Sequence, residues 1–310
     1  MDLNSILRCP LCHGELSISQ KGFYCAACDR RYKKRAGVYD FLISGEDQWA
    51  MLGKGFMDGQ EELGNRLFET DESELSPSDL LMKAVALWYM EEFQELEKIS
   101  KEALSAIYTP EYNRAMENSV KYAIELLKKE NGTILDLASG MGGFLGDLLK
   151  EHSGNFISVD ISATSSSILR RYLSYKGWDN RVTQVVADAA KLPFKDKSID
   201  VITTAAGFQN MQNALPVFKE LRRVAKKLIA LCIFMEEGDP NLAHVSDKTL
   251  HVGKYFKKAL EKAGWEVSFE NEIRARAEPT PASKIFGVKP DKIPVVPTIF
   301  KFTTVVATAL

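Results

Sequence analysis

Four cysteines near the N-terminus have the spacing of a metal site. Cys9 and Cys12 form one Cys-x-x-Cys pair, and Cys25 and Cys28 form a second pair after twelve intervening residues. Two such pairs at this separation typically supply four thiolates to one tetrahedral zinc ion. Because all four ligands are protein thiolates, no position is left for a catalytic water. We therefore expect a structural zinc site, which so short a segment needs in order to fold.

Two disulfides or a redox-active pair are the alternatives to zinc. The opening residues show no signal-peptide pattern, and a fifth cysteine, Cys232, lies unpaired inside a predicted buried strand. Both observations favour a reducing compartment and free thiolates. His13 directly follows Cys12 and could compete as a ligand, although four cysteines already satisfy the ion.

Three aspartates lie where strands would meet a nucleotide cofactor. Asp136 stands in an apolar run that leads into a glycine turn with Gly140, Gly142 and Gly143. About twenty residues after the turn, Asp160 ends a second apolar run, where a carboxylate can accept the hydroxyl groups of a ribose. A third run ends at Asp188 in the same way. The glycine turn alone could be purely conformational, so the spacing of the acids carries the prediction.

The elements that must position these residues alternate between strands and helices. Apolar runs predict buried strands, helical spacing predicts the helices between them, and two half-exposed runs predict an antiparallel pair at the end of the chain. The predicted strands cover residues 134–137, 156–160, 182–187, 198–204, 227–234, 265–270 and 299–307, and helices are expected at about 164–176 and 255–263. This order is typical of an α/β fold with a parallel sheet.

The combination resembles the class I S-adenosylmethionine-dependent methyltransferases from about residue 131 to residue 310. The resemblance implies a Rossmann-like, seven-stranded sheet and S-adenosylmethionine as cofactor. Ala138 stands where many members have the first glycine of the turn, and its methyl group is the smallest intrusion there. The residues implied to bind the cofactor are Asp136, Ala138, Gly140, Gly142, Asp160, Ile161, Asp188 and Ala189.

The region after the fourth strand resembles the ubiquinone/menaquinone-type branch, which acts on small molecules. The resemblance lies in the segment Ala206-Gly-Phe-Gln-Asn-Met211 and in a following helix with Leu221-Arg-Arg-Val224. The region lacks the Pro-Pro segment of enzymes that methylate adenine amines or glutamine side chains. Phe208, Gln209 and Asn210 follow this strand, at the edge where open α/β sheets bind ligands, so we expect them to line an acceptor pocket. Alternatively, Gln209 and Asn210 cap the next helix.

No catalytic residue can be assigned from the sequence. Methyl transfer from a sulfonium is an in-line displacement, so geometry and exclusion of water supply most of the rate, and a base is needed only for a poorly ionised acceptor. His152, His244 and His251 lie beside no motif, and we expect them at the surface or at helix ends.

Residues 1–44 would form the zinc ribbon. Within them, residues 9–42 resemble the small zinc-ribbon proteins that activate methyltransferases and, more loosely, the zinc modules of ribosomal RNA guanine methyltransferases. The resemblance implies a protein partner or RNA at this zinc ribbon. The basic run 29–35 could follow a phosphate backbone. A solvated charged hairpin is the plainer interpretation, because the formal net charge of the chain is -2.

Residues 45–130 are acidic and mostly helical by pattern. In the related methyltransferases such helices form a lid, which implies that Tyr108 and Tyr112 contact the acceptor. Trp88, Tyr89 and Phe93 in the same segment are the kind of residue that more often packs in a core. Residues 131–310 would form the methyltransferase domain, in which the proline-rich link 278–297 could be a substrate-side loop or a partner contact.

Length and composition fit one α/β core with a small satellite module. The chain has 310 residues, of which 45% are hydrophobic. No apolar run approaches the ~20 residues of a membrane span, and no targeting sequence is evident. We therefore expect a cytoplasmic enzyme that methylates a small-molecule acceptor. An RNA methyltransferase that uses the zinc ribbon for recognition is the alternative.

Overall fold

The computed structural model describes residues 3–19, 21–35, 37–43 and 61–310. The expected boundary between ribbon and helical segment at residues 44 and 45, and the start of that segment, lie outside these ranges. The strands are β1 (Ser17–Ser19), β2 (Gly22–Cys25), β3 (Arg30–Arg35), β4 (Val38–Asp40), β5 (Ile134–Leu137), β6 (Phe156–Asp160), β7 (Val182–Val186), β8 (Ile199–Ala205), β9 (Ala225–Phe234), β10 (Trp265–Ala277) and β11 (Thr298–Ala309).

The helices flank the sheet. They are α1 (Leu3–Ile6), α2 (Glu61–Glu69), α3 (Pro77–Met90), α4 (Phe93–Ile107), α5 (Pro110–Leu127), α6 (Gly143–Glu151), α7 (Ala163–Tyr175), α8 (Ala214–Val224) and α9 (Gly253–Lys262). Local chemistry sets where α5 begins: the Thr109 hydroxyl accepts the Tyr112 N–H at 3.1 Å, and Pro110 occupies the first turn.

All strands belong to one sheet with the order β1-β2-β3-β4-β7-β6-β5-β8-β9-β11-β10. Strands β7, β6, β5, β8 and β9 are parallel to one another. At this end of the sheet β11 pairs antiparallel with β9, and β10 pairs antiparallel with β11. All four residues of β5 are buried, as expected for a central parallel strand whose two faces are covered. The expected α/β, Rossmann-like fold is confirmed.

The expected count of seven strands is wrong for the sheet as a whole. Seven strands, β5 to β11, form the expected part, and the four ribbon strands lengthen it to eleven. The junction is a parallel pairing in which Tyr39 and Asp40 of β4 lie beside Val185 and Val186 of β7. Without β4, the backbone groups of β7 would form an open edge.

Two apolar layers cover the faces of the sheet. On one face, α3 and α4 pack with α6 and α7, and Trp88 and Phe93 are buried in that layer. On the other face, α8 and α9 share a layer with the ribbon, which contributes Leu7, Tyr32 and Phe41. No helix in the described ranges combines the length and the apolar character needed to cross a membrane.

The proline-rich link 278–297 is fastened to the helices by a buried carboxylate. Asp79 of α3 accepts hydrogen bonds from the hydroxyls of Ser76 and Ser283, and from the backbone N–H groups of Lys284 and Ile285 at 3.1 and 3.2 Å. These hydrogen bonds outweigh burial and lower the pKa of Asp79. The link therefore has a fixed position although it contains no helix or strand.

Candidate functional site

A cavity of about 290 Å³ opens at the carboxyl ends of β5 and β8. Helix α5 forms one wall of this cavity, and the turn between β5 and α6 forms another. Ligands of open parallel sheets bind at this edge. The lining residues are Met116 and Val120 from α5, Asp136, Ala138 and Ser139 from β5 and its turn, Gly143, Phe144 and Asp147 from α6, and Ala205 from β8.

Asp136 is the buried polar group of the cavity. Its residue is 2% exposed, and one carboxylate oxygen, Oδ2, has no hydrogen-bond partner among the described residues. Burial, together with the nearby charge of Asp160, raises the pKa of Asp136 to about 7. An unpartnered buried oxygen is costly unless a ligand satisfies it. The arrangement therefore fits a cationic ligand in the cavity.

The turn after β5 leaves space for a ligand at two glycines. A Cβ added at Gly140 or Gly143 would have no neighbour within 4 Å. At Gly142, where φ is +80°, an added Cβ would lie 2.4 Å from a methyl carbon of Leu169. Gly142 is thus required by packing and conformation. Gly140 also has a left-handed backbone, with a φ of +51°, and both Gly140 and Gly143 leave open space beside the backbone.

Ala138 adopts a conformation that normally favours glycine. Its φ is +56°, and Ala206 at the end of the neighbouring strand β8 has a φ of +54°. A left-handed alanine costs roughly 1–2 kcal/mol. Both residues lie at the carboxyl edge of the sheet, where backbone strain is commonly retained for function.

The other predicted cofactor residues follow along the same edge. The Asp160 carboxylate accepts N–H groups from Gly140 at 2.8 Å and from Ser162 at 2.9 Å, so it fixes the glycine turn. Asp188 accepts the Ala190 N–H at 2.9 Å and shapes the turn after β7. Each carboxylate oxygen has two lone pairs, so both side chains can accept further hydrogen bonds from a ligand. Their contacts with ribose and adenine stay predictions.

Two apolar residues complete this edge. Ile161, directly after β6, is 45% exposed. Ala189, after β7, packs against the large core on the ribbon side. The structure thus brings all eight predicted cofactor residues to the ends of three neighbouring strands.

None of the predicted acceptor residues Phe208, Gln209 and Asn210 is among the residues that line the cavity. Phe208 is fully buried, with its ring centroid 5.5 Å from that of Phe218 and 5.4 Å from that of Phe256, which makes it a core residue. The Gln209 side-chain amide donates to the Leu250 carbonyl at 3.0 Å. The suggested capping role of Gln209 and Asn210 is wrong, because Asn213 occupies the N-cap of α8. Asn210 ends the short turn Phe208–Asn210.

Tyr112 lies about one turn before the cavity-lining Met116 in α5, and Tyr108 lies just before that helix begins. Their rings stack with centroids 4.5 Å apart, and the Tyr112 ring meets the edge of Phe302 at 5.0 Å. The Tyr108 hydroxyl donates to Asp291 of the proline-rich link at 3.0 Å. Burial raises the pKa of the Asp291 carboxyl. Asp291 was missed from the sequence because no pattern links the two distant segments.

None of the four histidines lines the cavity among the described residues. His152 accepts the Gly154 N–H at 2.9 Å at the end of α6, as expected for a helix-end residue. His251 is buried, which lowers its pKa. His251 also ends the short helix Lys248–Leu250, so it lies at a helix end, as expected.

The four N-terminal cysteines converge as a tetrahedral metal site requires. Their Sγ atoms all lie within 4.8 Å of one another, with 3.7 Å between Cys9 and Cys28 and 3.4 Å between Cys12 and Cys25. A disulfide would need about 2.05 Å. Zinc–sulfur bonds of about 2.3 Å in a tetrahedron place the sulfurs roughly 3.8 Å apart. The geometry therefore fits zinc, and Cys232 stays apart as a buried free thiol in β9.

Tyr32 lies directly beside the cysteine cluster and contacts one of its four sulfurs. Its hydroxyl lies 3.0 Å from the Cys9 sulfur and is buried there. A phenol facing a metal-bound thiolate donates its proton to the sulfur, which orients the ligand and tunes its bond to the metal.

Comparisons with known proteins agree with this geometry. Residues 134–227 match the family model described as a methyltransferase domain. The ubiquinone/menaquinone biosynthesis C-methyltransferase UbiE of Ectopseudomonas mendocina is 33% identical over 136 residues, which are 41% of this chain and 52% of the relative. The enzyme of the same name from Shewanella baltica is 33% identical over 117 residues, which are 36% of this chain and 47% of the relative.

The chain therefore spans about half the length of the curated relatives it matches. Among solved structures, the geranyl diphosphate C-methyltransferase of Streptomyces coelicolor A3(2) is similar to 64% of this chain over 82% of its own, with 12% identity and a TM-score of 0.48. Residues 134–227 of this chain therefore match a methyltransferase domain, and the sheet order and the glycine turn agree with that match.

Proposed function

We propose that the protein transfers a methyl group from S-adenosylmethionine to a small-molecule acceptor. The observation that carries the proposal is the buried Asp136 oxygen without a partner, which lines the cavity beside the open glycine turn. The cofactor carries an ammonium and a sulfonium, and a buried carboxylate attracts both. When bound, it supplies an activated methyl group.

The residues around the cavity have distinct roles in this proposal. Asp136 would accept the ammonium group, and Asp160 would accept the ribose hydroxyls. Asp188 and Ala189 would contact the adenine, with Ile161 as an apolar neighbour. Gly140 and Gly143 provide the room for close approach, and Ala138 and Gly142 hold the turn.

The protein's part in the reaction is positional. Met116, Val120, Phe144 and Ala205 give the cavity apolar walls, which exclude water from the donor and acceptor. Holding the two reacting groups in line can supply roughly 7–11 kcal/mol of the barrier reduction. Among the described residues, Asp136 and Asp147 carry the titratable groups that line the cavity. Asp136 is proposed to hold the ammonium group of the cofactor, and no catalytic base is assigned.

A small-molecule acceptor is supported by the apolar walls and by the names of the curated relatives. We place Tyr108 and Tyr112 on the acceptor side, since Tyr112 lies one turn before Met116 on α5 and the Tyr108 ring stacks on it. The names of these relatives place them in ubiquinone and menaquinone biosynthesis. For this chain we propose only the class of acceptor, a small molecule. We also propose zinc at the four cysteines and a cytoplasmic location, where the thiols stay reduced.

RNA is the second candidate acceptor, and one surface favours it. Arg31, Lys33 and Arg35 alternate along β3 and are exposed, so they form a basic stripe on one face of the ribbon. A protein partner could also dock on this stripe.

The test is transfer of labelled methyl from S-adenosylmethionine into a cell extract, fractionated with and without ribonuclease and protease. Label in a fraction that resists both enzymes supports the small-molecule acceptor. Label that ribonuclease removes supports the RNA candidate instead. An Asp160→Ala variant should bind the cofactor at least about tenfold more weakly, because it loses charge-assisted hydrogen bonds. Unchanged affinity would remove Asp160 from the proposed site.

A further inference from the structure

The ribbon is attached at both ends of the segment that follows β7. At one end, β4 pairs with β7, and the Phe41 N–H donates to the Val186 carbonyl at 2.8 Å. At the other end, Leu7 forms an antiparallel bridge with Phe194. Residues 187–193, which include the proposed adenine contacts, lie between these two attachments.

Backbone hydrogen bonds and ion pairs reinforce the second attachment. The Arg8 N–H donates to the Pro193 carbonyl at 2.9 Å, and the Lys195 N–H donates to the Ile6 carbonyl at 2.7 Å. Arg8 also pairs with Asp196 at 3.1 Å. The Arg8 side chain is largely buried but that of Asp196 is 62% exposed, so solvent screens this ion pair and the backbone hydrogen bonds are the main reinforcement.

The metal ligands belong to the same packed core as this segment. Cys9 and Cys25 are fully buried in one apolar cluster with Ala187, Leu192 and Phe194. Ala189, a proposed adenine contact, packs against that cluster. A ribbon of this size has too small a core of its own to keep this geometry without a metal.

We propose that the metal-bound ribbon holds residues 187–196 in the cofactor-binding conformation, so that metal occupancy at the four cysteines sets the affinity for S-adenosylmethionine. The inference rests on the proposed function, because it assigns a second determinant to the same cofactor site. Loss of the metal loosens the ribbon and removes both attachments, which leaves the segment held by its contacts with β6 and by Glu220 and Arg223 of α8.

The coupling predicts equal effects in both directions. Removal of zinc should weaken cofactor binding by about 5- to 150-fold, the usual range for coupled sites, and saturating cofactor should raise zinc affinity by the same factor. The experiment is calorimetric titration of S-adenosylmethionine into the zinc-loaded and the chelator-stripped full chain. Chelator competition for zinc, with and without the cofactor, is the reciprocal measurement.

Hydrogen exchange separates local loosening from general unfolding. In the stripped protein, amides of residues 186–196 should exchange faster, whereas those of β5, β8 and β9 should stay protected. Cys12→Ser, which removes one metal ligand, should reproduce the loss of affinity. Leu11→Ala, at a neighbouring exposed residue, should not.

Leu7→Ala tests the attachment itself, because it leaves all four cysteines in place. Cofactor affinity should fall while zinc content stays unchanged. Equal cofactor affinity in loaded and stripped protein, with the zinc-loaded protein binding normally, would overturn the coupling and leave the proposed function intact. A zinc-loaded protein that does not bind the cofactor would overturn both.

Discussion

Replacing Asp136 by asparagine should make the cofactor-free protein more stable and the cofactor site weaker. The folded pKa of about 7 lies about three pH units above the ordinary value of 3.8. At 1.36 kcal/mol for each unit, the buried carboxylate costs about 4 kcal/mol once it is ionised. Asparagine has a similar shape and carries no charge, so it removes this cost.

The sign of the pH dependence follows from the raised pKa. Between about pH 4 and pH 7 the folded state keeps the Asp136 proton and the unfolded state does not, so wild-type stability falls as pH rises through this range. The difference in free energy of unfolding between Asp136→Asn and wild type should therefore widen from pH 4 and level off above pH 7.

Urea denaturation at pH 5, 6, 7 and 8 without cofactor measures this difference. Asp147→Asn is the matched control, because Asp147 lines the same cavity but its side chain is half exposed. Its difference from wild type should change little with pH. A difference for Asp136→Asn that is constant from pH 5 to pH 8 would refute the raised pKa.

Cofactor binding gives an independent check of the same carboxyl. A bound cation favours the ionised form, so binding near pH 6 should release a proton, and wild-type affinity should rise from pH 5 to pH 8. Asp136→Asn should bind more weakly, with this pH dependence removed. Unchanged affinity and pH dependence in the variant would remove Asp136 from the ammonium contact.

Three further substitutions test the other contacts. Tyr32→Phe should lower zinc affinity about 10- to 100-fold in chelator competition, because the thiolate loses its outer hydrogen bond; equal affinity would show that the hydroxyl does not act on the sulfur. Gly143→Ala should weaken cofactor binding, measured by calorimetry, without loss of stability, because its Cβ would enter the open space. Gly142→Ala should instead lower the free energy of unfolding in urea denaturation. The opposite pattern would contradict the assigned cavity. Asp79→Ala should lower the free energy of unfolding by about 3 kcal/mol, because it leaves buried donors without an acceptor, and Ser283→Ala should lower it by about 1 kcal/mol. Equal losses in thermal unfolding would argue against a shared carboxylate anchor.

The central sheet could be predicted because its signals are local. Buried runs such as 134–137 and 156–160 need no partner to be recognised, and they match β5 and β6 residue for residue. Strand β10 was underestimated, since 265–270 was expected and Trp265–Ala277 is observed. Register shifts between Glu270 and Ile273 interrupt its alternation of exposed and buried residues, which is why the pattern stopped there.

Features that depend on contacts between distant segments could not be predicted. The three residues of β4 contain no sign that they pair with β7, because pairing depends on which edge is open in the folded chain. Phe208 was expected at the acceptor pocket from its position after a strand, yet the turn directs its ring into the core. Asp291 could not be linked to Tyr108 for the same reason.

The ribbon's junction with the sheet also bears on the order of folding during synthesis. Asp40 pairs with Val186, whereas the four cysteines all lie within the first 28 residues. Domains emerge from the ribosome N-terminal end first, so the ribbon leaves it long before its partner strand exists. Until then its apolar residues have no sheet to cover them, and the proposed zinc ion would have to keep the hairpins together. We therefore expect zinc shortage to act on the nascent chain, as aggregation of newly made protein, before it acts on molecules that have already folded.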